Sequence, residues 1–267
     1  MMDPEELARA LGIKLFRTPF FLPRYPDGEW GKWRIIHTGS GIDHGYYTRQ
    51  WLVSNMPVLL CRNPQNPDTW ETWMSLTPHE IESQETGCVL ARGHTAIMGL
   101  GLGWIALNVA LNPAVKRVTV VEYDPDVINL FAAAGVLEQV PSPIGEKIRI
   151  IHADALQWRS PEPVDFLFAD IWRTLVEPGV LADVRSMQAN VQAGSIYFWG
   201  QELILYAVFQ RLFGAHGPLT REGLSQCIER EIRLPLVLPE DDAYLDRIAA
   251  AVENRRNRLL PLGEDVR

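Results

Sequence analysis

Positive charge, paired cysteines and uninterrupted apolar stretches are all scarce in this chain of 267 residues. Its 25 lysine and arginine residues face 33 aspartate and glutamate residues, which gives a net charge of −8. Because phosphate backbones bind to clustered positive charge, we expect no nucleic acid partner. No apolar stretch approaches the ~18 residues that a membrane span needs, so we expect no membrane partner either.

The cysteines and histidines indicate neither a disulfide framework nor a metal site. The histidines show no metal-ligand spacing, and the cysteines form no CxxC pair. The chain opens with Met-Met-Asp-Pro-Glu-Glu, which is acidic where a signal peptide is basic. These features predict a cytoplasmic protein with reduced thiols and no bound metal. The three cysteines are Cys61, Cys88 and Cys227.

Composition divides the chain into three segments. Residues 1–76, the front segment, hold five of the nine tryptophans and many turn-forming residues. They predict a loop-rich, aromatic segment with short strands at Trp33–His37 and Trp51–Cys61. Residues 77–200 form the predicted core, and residues 201–267, the tail, are predicted to be mainly helical.

Strand and helix patterns alternate five times within the core. The strands are rich in apolar and β-branched residues and show little alternation, as buried parallel strands do. This order predicts an α/β fold with a Rossmann-like, doubly wound, mostly parallel sheet. After residue 200 the alternation stops, and only Leu234–Leu238 still has a strand pattern. The five predicted core strands are His94–Met98, Arg117–Val121, Ile148–His152, Asp165–Ala169 and Gly194–Trp199.

A glycine-rich loop follows the first of these strands. Its sequence is Gly99-Leu100-Gly101-Leu102-Gly103, and a predicted helix begins at Trp104. Glycine permits tight backbone conformations and lets a ligand approach closely. The helix N-terminus offers free N–H groups to a polar or anionic group. The pattern therefore predicts a ligand-binding loop, with a tight turn that binds nothing as the alternative.

Carboxylates follow the next three strands. Glu122 ends the second strand, about 20 residues after the glycine loop, where an acid typically accepts ribose hydroxyls. Asp154 and Asp170 follow the third and fourth strands. Because the carboxyl ends of parallel strands share one edge of the sheet, we expect all three near one ligand. A helix cap or a solvated strand end is the alternative for each, and we assign Asp124 to helix capping.

The chain from about residue 94 to residue 200 resembles the core of class I S-adenosylmethionine-dependent methyltransferases, and within them the spermidine synthase-like branch. Four motifs in matching order carry the resemblance: the glycine loop, Val118–Ile128 around Glu122, Ala153-Asp154-Ala155, and the strand from Asp165 to Asp170.

The resemblance implies S-adenosylmethionine as the cofactor and a role for each motif. The three glycines would line its methionine and ribose part, Glu122 would hold the ribose hydroxyls, and Asp154 the adenine amino group. Two neighbouring side chains would flank the adenine ring. The implied cofactor-binding residues are Gly99, Gly101, Gly103, Glu122, Tyr123, Asp154 and Ala155.

Other residues are candidates for the reaction side of the pocket. Asp170 would act as a general base toward an acceptor that needs deprotonation. Trp104 and Trp172 are candidate walls, with core packing as the alternative. Glu82 and Ser83, on the helix before the glycine loop, would face the methionine end. The front segment is a candidate cap, although its loop at residues 38–47 fits an ordinary surface loop better than a lid.

Departures from the family pattern define the alternatives. Ile97 stands where many methyltransferases have an acid, and Leu102 where spermidine synthases have aspartate. No second acid follows Asp170, although a polyamine needs several carboxylates; aminopropyl transfer is therefore an alternative rather than the prediction. A non-catalytic binding module is another alternative. Gly101-Leu102-Gly103 also fits the nicotinamide pattern, but it lies inside the loop rather than at its start.

The sequence thus predicts an S-adenosylmethionine-dependent methyltransferase that acts on a small-molecule acceptor. Asp170 is the predicted catalytic residue. The sequence does not identify the acceptor, and it is compatible with a homodimer.

Overall fold

The front segment forms two small antiparallel sheets in the computed structural model, which describes residues 3–214 and 217–257. Strands β1, β2, β5 and β6 form one sheet, and β3 pairs with β4 in the other. The predicted strand Trp33–His37 is confirmed, whereas Trp51–Cys61 is divided because Asn55 adopts a left-handed backbone (φ 57°) that interrupts it. The elements are α1 (Pro4–Leu11), β1 (Gly28–Trp30), β2 (Trp33–His37), β3 (Gly41–Asp43), β4 (Trp51–Val53), β5 (Pro57–Arg62) and β6 (Trp70–Ser75).

The core contains five parallel strands in the order β9-β8-β7-β10-β11. The chain adds strands to one side of β7 and then to the other, so the sheet is doubly wound, and the Rossmann-like α/β prediction is confirmed. Between β7 and β10 the direction of winding reverses, which is where such sheets bind ligands. The elements are α2 (Pro78–Leu90), β7 (Gly93–Met98), α3 (Trp104–Leu111), β8 (Val115–Glu122), α4 (Pro125–Ala133), α5 (Ser142–Gly145), β9 (Ile148–His152), β10 (Phe166–Ala169), α6 (Val180–Val191) and β11 (Ile196–Phe198).

Apolar side chains fill both faces of the parallel sheet. On one face, Ile97 and Phe168 belong to a buried cluster that also contains Leu59 of the front segment. On the other face, Met98 and Leu167 pack with α6 and the tail. The front segment therefore shares its core with the sheet, and this packing holds it in place beside the carboxyl edge.

Three helices make up the described part of the tail, and residues 258–267 lie outside it. The predicted strand Leu234–Leu238 is wrong, because only one parallel bridge forms, between Ile196 and Leu236. Pro235 has no N–H with which to extend that ladder. None of the helices within the described ranges is long and apolar enough to cross a bilayer. The elements are α7 (Gln201–Phe213), α8 (Arg221–Cys227), a π-helical turn (Ile228–Ile232) and α9 (Ala243–Asn257).

A buried glutamate at the start of α7 joins separate parts of the chain. Glu202 is only 2% exposed. Its carboxyl group accepts hydrogen bonds from the hydroxyls of Tyr46 (3.4 Å), Tyr197 (3.2 Å) and Tyr244 (3.1 Å). Burial raises the pKa of Glu202 to about 7. One carboxyl group thus ties together the front segment, β11, α7 and α9.

Candidate functional site

A cavity of about 490 Å³, the first cavity, lies at the carboxyl edge of the parallel sheet. Its volume falls within the range typical of small-molecule sites. The front segment covers it from the opposite side with residues that include Lys32, Trp33 and Met74. Strand ends bring most of the predicted site residues into this one cavity. Those that line it are Gly99, Gly101, Glu122, Tyr123, Asp154, Ala155 and Asp170.

The glycine loop is held in a tight conformation against the end of β10. Gly99 has a φ of 95°, and an added Cβ there would overlap the carbonyl oxygen of Asp170. Gly103 also has a positive φ, 76°, and an added Cβ there would overlap the ring of Phe131. Gly103 does not line the first cavity. Close packing therefore accounts for glycine at both positions. A direct role of Gly103 in ligand binding stays a prediction.

Glu122 connects the glycine loop to the end of β8. Its two carboxylate oxygens accept hydrogen bonds from the backbone N–H groups of Leu100 and Asp124, both at 2.8 Å. The side chain is 9% exposed, and burial raises its pKa. Each oxygen keeps a further lone pair. The carboxylate can therefore orient the loop and still accept hydroxyl groups from a ligand.

Asp154 lies at the end of the cavity farthest from β10. One of its oxygens accepts from the Leu156 backbone N–H and the other from the Gln157 side chain, each at 2.9 Å. Asp154 therefore caps the turn that follows it, as the alternative interpretation predicted. Asp154 also lines the cavity. Beside it, Ala155 is buried and Tyr123 is 74% exposed at the rim. Whether these three residues hold an adenine stays a prediction.

Asp170 belongs to a carboxyl pair that the sequence did not predict. The Gln84 side-chain amide donates to Asp170 (3.1 Å) and to Glu80 (3.0 Å). Burial raises the pKa of Asp170 to about 7. Burial and the charge of Asp170 hold the pKa of Glu80 well above its ordinary range. Burial thus favours the protonated form of Glu80, while Asp170 can gain or lose a proton near neutral pH.

The front segment contacts the glycine loop directly. The Met74 sulfur accepts a hydrogen bond from the Leu102 backbone N–H at 3.3 Å. Lys32 forms an ion pair with Asp124 at 2.8 Å. Asp124 also accepts from the Asp126 backbone N–H at 2.9 Å, so the predicted helix cap is confirmed. Neither Lys32 nor Met74 could be predicted from local sequence patterns, because both form contacts across long sequence separations.

Both candidate tryptophans line the cavity and are buried as well. The Trp172 indole N–H donates to Asp183 at 2.9 Å. The Trp104 indole nitrogen is buried and has no hydrogen-bond partner among the residues that the structure describes.

The prediction that Glu82 and Ser83 face the pocket is wrong. Glu82 accepts from the backbone N–H groups of Tyr47 (3.0 Å) and Thr48 (3.1 Å). The Ser83 hydroxyl accepts from the Trp199 indole N–H at 2.7 Å. Both side chains point into contacts that hold neighbouring segments. Glu80, also on α2, lines the cavity instead. Its i,i+4 spacing from Gln84 was the one sequence feature that could have indicated this residue.

Metal ligation finds no support in the described ranges. No group of three histidine, cysteine, aspartate or glutamate side chains there is arranged to hold a metal ion.

Comparison with known proteins gives a partial likeness to solved methyltransferase structures. No protein-family model and no curated protein matches the chain. The DhpI–SAM–HEP complex is 18% identical over 44% of this chain and 50% of its own, with a TM-score of 0.33. The glycopeptide N-methyltransferase MtfA, complexed with S-adenosyl-L-methionine, is 17% identical over 42% of this chain and 47% of its own, with a TM-score of 0.33.

A third structure shows a likeness of the same extent. Precorrin-6y C5,15-methyltransferase from Geobacter metallireducens GS-15 is 14% identical over 46% of this chain and 63% of its own, with a TM-score of 0.34. The match thus spans about half the length of the proteins compared. The fold assignment accordingly rests on the strand order of this chain itself.

Proposed function

We propose that the protein transfers a methyl group from S-adenosylmethionine to a small-molecule acceptor. One observation carries the proposal: the glycine loop, Glu122, Asp154 and Asp170 follow four strands and line one cavity. This arrangement is the one that the resemblance implies, and it supplies acceptors for hydroxyl and amino groups along one ligand.

The donor set fits such a cofactor. Glu122 has lone pairs left for the ribose hydroxyls. Asp154 and Ala155 would hold the adenine end. The cofactor supplies an electrophilic methyl group when it is bound. The protein's own contribution is to position the acceptor and exclude water under the front segment.

Asp170 is the residue we assign to proton transfer. Its pKa of about 7 lets it ionise near neutral pH, while Gln84 holds its carboxyl group in place. It would take a proton from an acceptor hydroxyl or ammonium group as the acceptor becomes a nucleophile. Burial favours the protonated form of Glu80 beside it, and in that form Glu80 would donate a hydrogen bond.

Calorimetric titration with S-adenosylhomocysteine tests the cofactor assignment. We expect wild-type protein to bind it, and Glu122→Gln to bind it roughly tenfold to a hundredfold more weakly, as expected for a lost hydrogen bond to a charged group. Glu138→Gln is the matched control, since Glu138 is exposed and lies outside the cavity. Equal affinity of the two variants for S-adenosylhomocysteine would refute the assignment of Glu122 to the ribose hydroxyls.

Two further ligands separate the alternatives. Tighter binding of decarboxylated S-adenosylmethionine than of S-adenosylhomocysteine would favour aminopropyl transfer, the activity of the spermidine synthase-like branch. That branch stays a prediction from the sequence, and the three structures compared above give it no support. Binding of NAD alone would refute the methyltransferase proposal. Cofactor binding without turnover of any acceptor would favour a binding module.

A further inference from the structure

A second cavity, of about 360 Å³, adjoins the first. The two share four wall residues: Trp73, Met74, Glu80 and Trp199. The second cavity has walls from the front segment, the start of α2, residues 173–175 and α9. Gln84 joins the shared residue Glu80 to Asp170. A molecule held there would therefore reach the predicted reaction centre across the shared wall.

The charges in the second cavity are mostly neutralised. Arg173 pairs with Glu71 at 2.6 Å and donates twice to the Thr72 carbonyl oxygen. Glu80 is the acid of the shared wall, and burial raises its pKa well above its ordinary range, which favours the uncharged form. The Arg173–Glu71 pair leaves no net charge in the cavity.

Arg255 is the exception. It lies on α9, is half-buried and lines the cavity. Its Nε is buried without a hydrogen-bond partner, and no carboxylate within residues 3–214 and 217–257 forms an ion pair with it. Burial lowers its pKa, as expected for a cation removed from water. A half-buried guanidinium with no counter-charge among the described residues favours an anion beside it, so the cavity is suited to receive one.

Large apolar and aromatic side chains make up much of the remaining wall, beside polar side chains that include Ser75, Thr174 and Asn254. Trp73, Trp199, Leu175 and Leu203 line the cavity around the guanidinium group. Such a wall favours an apolar molecular body over a polar one. The cavity thus combines one cation with a hydrophobic surface.

We propose that the second cavity binds the methyl acceptor, and that this acceptor is a small carboxylic acid with an apolar body whose carboxylate pairs with Arg255. That the bound molecule is the methyl acceptor rests on the proposed function. The anion site itself is argued from the contacts of Arg255 and does not depend on that function. A carboxylate can meet a guanidinium through two parallel hydrogen bonds. The apolar body then lies against Trp73 and Trp199, next to the first cavity.

Binding of three probes that share a phenyl ring and differ in charge tests the proposal: benzoate, benzamide and benzylamine. We expect wild-type protein to prefer benzoate. Arg255→Gln should weaken benzoate binding roughly tenfold to a hundredfold, as for a hydrogen bond between charged groups. Arg256→Gln is the matched control, because Arg256 is on the same helix but exposed, with its guanidinium over the Tyr206 ring. It should leave benzoate binding unchanged.

NMR of the arginine Nε–H groups locates the bound probe. The signal absent from Arg255→Gln should shift when benzoate is added to the wild-type protein, whereas the Arg256 signal should not. Arg255→Lys keeps a charge and should retain part of the affinity. The melting temperature of each variant without ligand shows that it is folded.

The outcomes separate this inference from the proposed function. Equal binding of benzoate and benzamide, or equal loss in the two glutamine variants, would overturn the anion site even if S-adenosylhomocysteine binds. Arg255-dependent benzoate binding without S-adenosylhomocysteine binding would support the anion site and refute the methyltransferase proposal. Both dependences together support a carboxylate-bearing acceptor.

Discussion

The stability of the protein should fall as pH rises from about 5 to 8, and Glu202 should account for a defined part of the loss. In the unfolded chain this carboxyl group titrates at its ordinary value of 4.5, whereas burial raises its pKa in the folded protein to about 7. Between these values the unfolded chain binds fewer protons than the folded one, so stability decreases with increasing pH. Above about 7 the loss is complete.

The size of the effect follows from the two pKa values. At 1.36 kcal/mol for each pKa unit, the difference corresponds to about 3 kcal/mol. The three tyrosine hydroxyls already favour the ionised form, and burial outweighs them. Glu202→Gln keeps the size of the side chain and removes the charge. Its stability relative to wild type should therefore improve by most of ~3 kcal/mol between pH 5 and pH 8.

Urea unfolding of both proteins at the two pH values measures this difference. Asp170 also titrates near 7, but it is present in both chains and its contribution cancels. Glu138→Gln, the same substitution at an exposed position, is the matched control. If Glu202→Gln differs from wild type by the same free energy at pH 5 and pH 8, Glu202 is not buried as an acid of raised pKa.

Two other predictions concern the first cavity. With an acceptor in hand, kcat/KM should rise with pH through about 7, and Asp170→Asn should abolish that rise and lower the rate about 10²–10⁴-fold; an unchanged profile would assign the base elsewhere. Gly99→Ala should destabilise the protein by more than the ~1–2 kcal/mol of a left-handed alanine, since its Cβ also meets the Asp170 backbone. Thermal unfolding of this variant beside Gly39→Ala, where an added Cβ meets nothing, checks the second prediction.

Local patterns were sufficient for the parallel sheet and for much of the first cavity. The strand at Ile148–His152 and the helix at Trp104–Leu111 match the prediction residue for residue. Once the strands are placed, parallel order alone brings Glu122, Asp154 and Asp170 to one edge. These positions needed no knowledge of distant contacts.

Features that depend on distant contacts were missed or misplaced. Glu80 and Glu82 lie on the same helix, and only the packing of α2 against the front segment decides which one faces the cavity. The contact of Met74 with the glycine loop and the place of Arg255 beside the second cavity have no local signature. The false strand at Leu234–Leu238 has the opposite origin, since its local pattern is strand-like but Pro235 prevents further pairing.

The second cavity has walls from all three segments and the first from the front segment and the core, and this has a consequence for the order of folding. Asn254 of α9 donates to the Tyr46 carbonyl oxygen across 208 residues, and the Trp33 indole N–H donates to Asp124 across 91. Contacts of such sequence separation form late, because the intervening chain must first lose its freedom. The sheet can therefore assemble before either cavity is complete. A ligand of these cavities would bind only the fully folded protein and would therefore stabilise it relative to partly folded states.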